Sequence, residues 1–178
     1  MAAPALIDGH LPMGRHVCTL AEVERAYVPD APTDRRREIW TQWVGLTGAL
    51  QSALGEVAAC WLSGSFFSSK PVPGDIDCLY VVDIARLEKL SATEDPAAAG
   101  LVYDAATGGI KRTGAMIDSY VLTWVPTPGV ERDNPIQDQY HRNRGYWDDL
   151  WSRVRDVDQR LGAIPRRGYL EVLIDGYR

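Results

Sequence analysis

Apolar residues at Ile39, Trp43, Leu46, Leu50 and Leu54 recur at spacings of four and three, the period of a helix that buries one stripe. The spacing predicts a helix over residues 33–54. Thr33 is placed to cap it after the breaks at Pro29, Asp30 and Pro32, and Gly55 suits its C-terminal stop. Upstream, Thr19 and Glu22 have the capping-box form, in which the hydroxyl bonds the amide three residues on and the carboxylate reaches back; a short helix to about residue 27 follows. Residues 57–62 are an apolar run between Gly55 and Gly64, too short for a globular helix and suited to a central strand. Residues 75–83, rich in Ile, Val and Tyr, predict a second strand, and the Ser-, Pro- and Gly-bearing stretch 64–74 between the two predicts a hairpin.

A helical turn near 84–90 and a helix from Asp95-Pro96 towards Gly108-Gly109 precede a third strand over 115–125, which Pro126, Pro128 and Gly129 end. Tyr146, Leu150, Val154, Val157 and Leu161 stand at helical spacing and predict a helix over 140–161; residues 168–174 read as a last strand. Residues 1–17, with Pro4, Gly9, Pro12 and Gly14 and little periodicity, predict an irregular arm across the surface. The sum is an α+β fold, a mixed β-sheet flanked by helices. It forms one domain over 1–178, with its core at about 33–125 and a C-terminal helix and strand over about 134–178.

Composition narrows the function classes. Hydrophobic residues at 46% and charged residues at 24% support a packed core and disfavour disordered or disulfide-scaffold readings. A net charge of −5 argues against a broad footprint for duplex nucleic acid and leaves room for a local basic groove. No apolar stretch reaches the roughly 18 residues of a membrane span, and the N-terminus has no secretory pattern, so a cytoplasmic location is expected. Cys18, Cys60 and Cys78 lack a Cys-X-X-Cys spacing and are expected to be free thiols; His10, His16 and His141 form no metal-binding spacing.

The chemistry concentrates in Gly64-Ser65, nine residues, then Asp75-Ile76-Asp77. Residues two apart on a strand point to one side, so Asp75 and Asp77 project together. Such a pair is relieved by a raised pKa, by solvent or by a cation, and a hard divalent ion such as Mg²⁺ (or Mn²⁺) takes oxygen ligands of this kind. Gly64 lets a phosphate approach the backbone and Ser65 offers a hydroxyl and an amide, which suits a triphosphate bridged by the ion.

Gly64-Ser65 followed by Asp75-Ile76-Asp77 resembles the signature of the DNA polymerase β-like nucleotidyltransferase superfamily. The segments PMGRHVCTLAEVE, GSFFSSKPVPGDIDCLYVV and RRGYLEVLID also look like those of small uncharacterised nucleotidyltransferase-like proteins of bacteria and phages. The resemblance implies a nucleotidyltransferase (polymerase β-like) fold with a third carboxylate on a later strand, which maps to Asp118. Asp83 competes by residue type, but six residues along a strand place it roughly 20 Å from Asp77. By the same resemblance Asp75 and Asp77 hold the metal ions, Asp118 binds the second ion and takes a proton from the attacking hydroxyl, and Gly64 with Ser65 grips phosphates. Ser63 departs from the pattern, which has a hydrophobic residue there.

The implied activity is metal-dependent transfer of a nucleoside monophosphate from a nucleoside triphosphate to an acceptor hydroxyl on RNA (tRNA included), protein or a small molecule. Relatives in the superfamily include toxins, as in toxin–antitoxin pairs, and phage-defence components. A non-catalytic nucleotide-binding or interaction module on the same fold is the alternative, and hydrolysis with water as nucleophile a third. Lys70 with Ser68-Ser69, and Lys111 with Arg112, are candidates for phosphate contact set against a solvated loop. Arg35, Arg36 and Arg37, in the first turn of a helix, read as a solvated face, with pairing to nearby acids or service to an acidic partner as the alternatives. The six Trp residues read as core and helix-packing residues, with Trp147 and Trp151 offering an interface as the alternative.

Overall fold

The computed structural model describes residues 2–29, 34–126 and 134–177. Its elements run β1 (Gly14–Cys18), α1 (Leu20–Tyr27), α2 (Arg35–Leu54), β2 (Ala59–Ser63), a 3-10 turn (Ser65–Phe67), β3 (Ile76–Asp83) and α3 (Ile84–Ser91). Then follow α4 (Pro96–Ala106), α5 (Gly109–Arg112), β4 (Ile117–Trp124), α6 (Pro135–Ser152), α7 (Gln159–Gly162) and β5 (Gly168–Leu173). The strands form one mixed sheet in the order β1-β5-β2-β3-β4, so the chain is α+β with a five-stranded sheet flanked by helices. β2 pairs antiparallel with β3 and β5, whereas β1–β5 and β3–β4 are parallel.

Strand alternation divides the core into two. Cys60, Leu62, Ile76, Cys78, Tyr80, Val82, Leu170 and Val172 face the helices α1 to α4, where Ile39, Trp40, Trp43, Leu46, Leu50 and Leu54 of α2 supply the largest apolar stripe. Ala59, Trp61, Leu79, Val81, Leu122 and Tyr169 face the other way, towards α6. Burial of this kind contributes about 25 cal/mol per Å² of apolar surface and is the main stabilising term. The three cysteines are buried and free. Among the described residues no helix is long and apolar enough to cross a membrane.

The Thr19–Glu22 capping box forms, with the Glu22 carboxylate held at a pKa of about 2 chiefly by the Thr19 amide. The cap of α2 is Asp34, whose side chain accepts from the Arg36 amide, while Gly55 ends the helix at φ 81°. Thr33, Pro128 and Gly129 lie outside the described residues.

Two expectations are corrected. The first 17 residues are not all irregular: Gly14–Cys18 is an edge strand, parallel to β5 from Gly14↔Gly168 to Cys18↔Val172. Only a partner more than 150 residues away makes this short polar segment a strand. The C-terminal helix spans Pro135–Ser152, not 140–161, and its buried face is offset from the predicted one. Tyr146 and Leu150 are exposed, whereas Trp151 is buried against Tyr169 and Trp147 packs on Tyr120, their ring centroids 6.0 and 4.7 Å apart. Trp151 is buried in the second cluster and Trp147, partly buried, packs against it, so the core reading of Trp147 and Trp151 holds.

A candidate metal centre at the hairpin mouth

Asp77 is the second residue of β3, and in the parallel β3–β4 register it lies directly beside Asp118, the second residue of β4. Asp75 stands two residues before Asp77, at the entrance to β3. The pleat therefore turns all three side chains to the α6 side of the sheet. One carboxylate oxygen from each of Asp75, Asp77 and Asp118 lies within 4.8 Å of the other two, and all three residues are partly buried. Oxygen donors alone, with accumulated negative charge, fit a hard divalent cation such as Mg²⁺ or Mn²⁺. Asp83 plays another part: it caps α3, accepting a 2.8 Å bond from the Ala85 amide.

The electrostatics follow from the crowding. Burial first, then the charges of Asp75 and Asp118, push the Asp77 carboxyl up from 3.8 to about 6, against the opposing pull of Arg167 and Lys111. Arg167 enters the site from just before β5, donating its Nε to the Trp151 carbonyl at 3.0 Å. Lys111 on α5 places its Nζ 2.6 Å from Asp75 Oδ2 and 3.0 Å from Asp118 Oδ2, and those two bonds raise its pKa. Tyr120, two residues after Asp118 on the same face, has its phenol raised by burial and then by the Asp118 charge.

Gly64 is needed for a reason beyond phosphate approach. At φ 88° and ψ −167° it occupies a region that residues with a Cβ avoid, and a Cβ there would stand 2.0 Å from Asp77 Oδ2. Ser65 begins the 3-10 turn and is partly buried. Ser63, opposite Asp77 in the β2–β3 pair, is buried, and its Oγ has no hydrogen-bond partner among the described residues. The Ser63 departure thus lies beside the triad. Lys70 is exposed; its carbonyl accepts from Arg36, and no ion pair or hydrogen bond reaches its ammonium among the described residues. The structure does not bring the Lys70 ammonium into the triad.

Two residues carry more of the site than sequence reading assigned. Arg36 does not sit on a solvated face: its guanidinium donates to the Phe66 carbonyl, to Ser68 O at 2.9 Å and to Lys70 O at 2.7 Å, and lies over the Phe66 ring. Phe66 and Phe67 are themselves buried, so the segment after Gly64 is anchored at both its backbone and its side chains. Three consecutive arginines carry no local signal that the middle one turns inward. The sequence offers Lys111 for phosphate contact, and nothing in its spacing from Asp118 shows that it bridges two carboxylates. Arg112, its neighbour, turns away and donates to Thr107 O at 3.3 Å.

Arg36→Ala is expected to lower stability by about 2–3 kcal/mol, because several backbone carbonyls lose a charged donor together. It should also speed amide exchange across residues 65–70. Urea unfolding and hydrogen-exchange mass spectrometry check this; unchanged exchange in that segment would show that Phe66 and Phe67 hold it unaided.

No curated protein matches the chain, and no solved structure does. A family model does match, over residues 4–173, and that span includes the hairpin, the three carboxylates, Lys111 and Arg167. On that match, the chain belongs to a family of unknown function, DUF6932.

Proposed function

We propose that the protein is a metal-dependent nucleotidyltransferase that moves a nucleoside monophosphate from a nucleoside triphosphate to an acceptor hydroxyl. The observation that carries this reading is the convergence of Asp75, Asp77 and Asp118 beside the Gly64–Ser65 bend, within 4.8 Å of one another. It also supports catalysis over a non-catalytic module, for which an Asp118 remote from the other two, or on the opposite sheet face, would have spoken. The resemblance to polymerase β-like nucleotidyltransferases, noted on the same residues, points the same way.

In this reading Asp75 and Asp77 hold Mg²⁺ or Mn²⁺, with Asp118 completing the set. The ion, when bound, neutralises phosphate charge and orients the α-phosphate. The Gly64 backbone and Ser65 hold phosphate oxygens, and Arg36 fixes the segment that presents them. The acceptor oxygen attacks the α-phosphorus in line, the bond from that phosphorus to the β-phosphate oxygen breaks, and pyrophosphate leaves. The proton of the acceptor hydroxyl passes to Asp118. Positioning and charge neutralisation supply most of the acceleration in transfers of this kind.

The test is incubation with α-labelled nucleoside triphosphates, Mg²⁺ or Mn²⁺, and separately RNA, protein and small-molecule fractions of a cell extract. Label is expected to enter one fraction with the native chain and to be lost with Asp77→Asn. Equal labelling by both proteins would remove Asp77 from the mechanism. Release of labelled monophosphate into water alone would favour hydrolysis, and no turnover with retained triphosphate binding would favour the non-catalytic module.

A further inference from the structure

The ammonium of Lys111 bridges Asp75 and Asp118, whose oxygens a shared divalent ion would also take. Its Nζ is 2.6 Å from Asp75 Oδ2 and 3.0 Å from Asp118 Oδ2, in a cluster whose three carboxylates approach within 4.8 Å. An ion such as Mg²⁺ sits at about 2.1 Å from each oxygen ligand, so it and the ammonium compete for one space. Like charges at such a separation repel strongly, and the ion must displace the lysine to bind.

The local structure allows that exchange. Lys111 is half exposed, with 49% of its side chain accessible, and among the described residues its ammonium contacts only these two carboxylates. Releasing it therefore breaks no other contact. Its backbone is fixed on α5, which opens at Gly108 in the left-handed region at φ 68°, so the ammonium moves by side-chain rotation and stays within a side-chain length of the carboxylates. In the sheet order, Gly64–Ser65 flanks the carboxylates from the β2 side and Lys111 flanks them from the β4 side. A triphosphate held between them brings negative oxygens to the displaced ammonium.

We propose that Lys111 is an exchangeable cation: it clasps Asp75 and Asp118 until a divalent ion takes their oxygens, and then pairs with a phosphate of the bound nucleoside triphosphate. This rests on the reading of the three carboxylates as a metal centre and adds an order to it, metal before nucleotide. The two roles of one ammonium have opposite consequences when it is removed. The metal loses a competitor and the nucleotide loses a partner, which makes metal and triphosphate binding cooperative in the native chain.

The test measures binding, independent of turnover. Mn²⁺ alone is titrated and followed by the electron-spin-resonance signal of the free ion; an α,β-methylene nucleoside triphosphate is then titrated calorimetrically at saturating Mn²⁺. Lys111→Met and Lys111→Gln are expected to bind Mn²⁺ about tenfold more tightly than the native chain and the analogue about tenfold more weakly, the size of one charge-assisted bond. Lys111→Arg should lie near the native values for both. Thermal unfolding confirms that each variant is folded. Unchanged or weaker Mn²⁺ binding by both uncharged variants, with Mn²⁺ binding abolished by Asp77→Asn, overturns the exchange and leaves the metal centre standing. Tighter Mn²⁺ binding with unchanged analogue affinity also overturns it, since Lys111 would then meet no phosphate. Mn²⁺ binding unaffected by Asp77→Asn removes the metal centre and this inference with it.

Discussion

Asp77→Asn is expected to make the folded chain more stable at neutral pH while removing its metal binding. Burial and the neighbouring charges of Asp75 and Asp118 raise the Asp77 carboxyl from 3.8 to about 6. An acid whose pKa rises on folding binds its proton more tightly in the folded chain than in the unfolded one. Stability therefore falls as pH climbs from about 4 to about 6, and the full penalty is present above that window. The span corresponds to about 3 kcal/mol, and solvent at a partly open site reduces it to about 2 kcal/mol. Asparagine keeps the shape and removes the charge. In metal-free buffer, urea unfolding at pH 7.5 should give a variant about 2 kcal/mol more stable than the native chain, with the gap closing towards pH 4. Mn²⁺ affinity of the native chain should fall as pH drops below about 6, because Asp77 must lose its proton to bind the ion. A variant that is less stable at pH 7.5 would show that the carboxylate is held by favourable contacts and that crowding does not dominate.

Gly64→Ala should be the most damaging single-methyl change in the site. Its Cβ would stand 2.0 Å from Asp77 Oδ2 and 2.8 Å from Asp77 Cγ, so either the strand end or the carboxylate must move. The backbone at φ 88° and ψ −167° adds strain of its own. A loss of about 3 kcal/mol is expected, from the combination of forbidden backbone and steric conflict, together with weaker Mn²⁺ binding because the ligand is pushed aside. Gly74→Ala is the internal comparison: it lies in the same connection, has no atom within 4 Å of its added Cβ and no positive φ. It should be close to neutral. Similar losses for both would mean that the connection tolerates no added side chain anywhere, and that the contact with Asp77 does not decide the effect, since Gly→Ala by itself lowers unfolded-chain entropy and stabilises.

The parts of the fold legible in sequence are those whose cause is local. The α2 stripe, the Thr19 capping box, the 64–74 connection between two apolar strands and the Asp95-Pro96 helix start each depend on residues within one or two turns of themselves, and each forms. β1 depends on hydrogen bonds to β5, and its own residues hold no strand pattern strong enough to show it. The buried face of α6 is ambiguous in sequence because Tyr146 and Trp147 are adjacent and both apolar; only the position of Tyr120 and Tyr169 on the sheet selects Trp147 and Trp151 for burial.

The candidate site divides the same way. Sequence by itself determined that Asp75 and Asp77 share a strand face, that the connection before them opens on Gly64-Ser65, and that Asp118 lies on a later strand, since periodicity and turn composition are local properties. Only the tertiary structure decided that β4 is parallel to β3 in the register that sets Asp118 beside Asp77, that Arg36 reaches across about 30 residues of chain to hold the 64–70 segment, and that Lys111 bridges Asp75 and Asp118. Such placements arise when separate elements pack, because a long charged side chain takes whatever opposite charge or carbonyl the assembled surface brings near, and no short stretch of sequence encodes that choice.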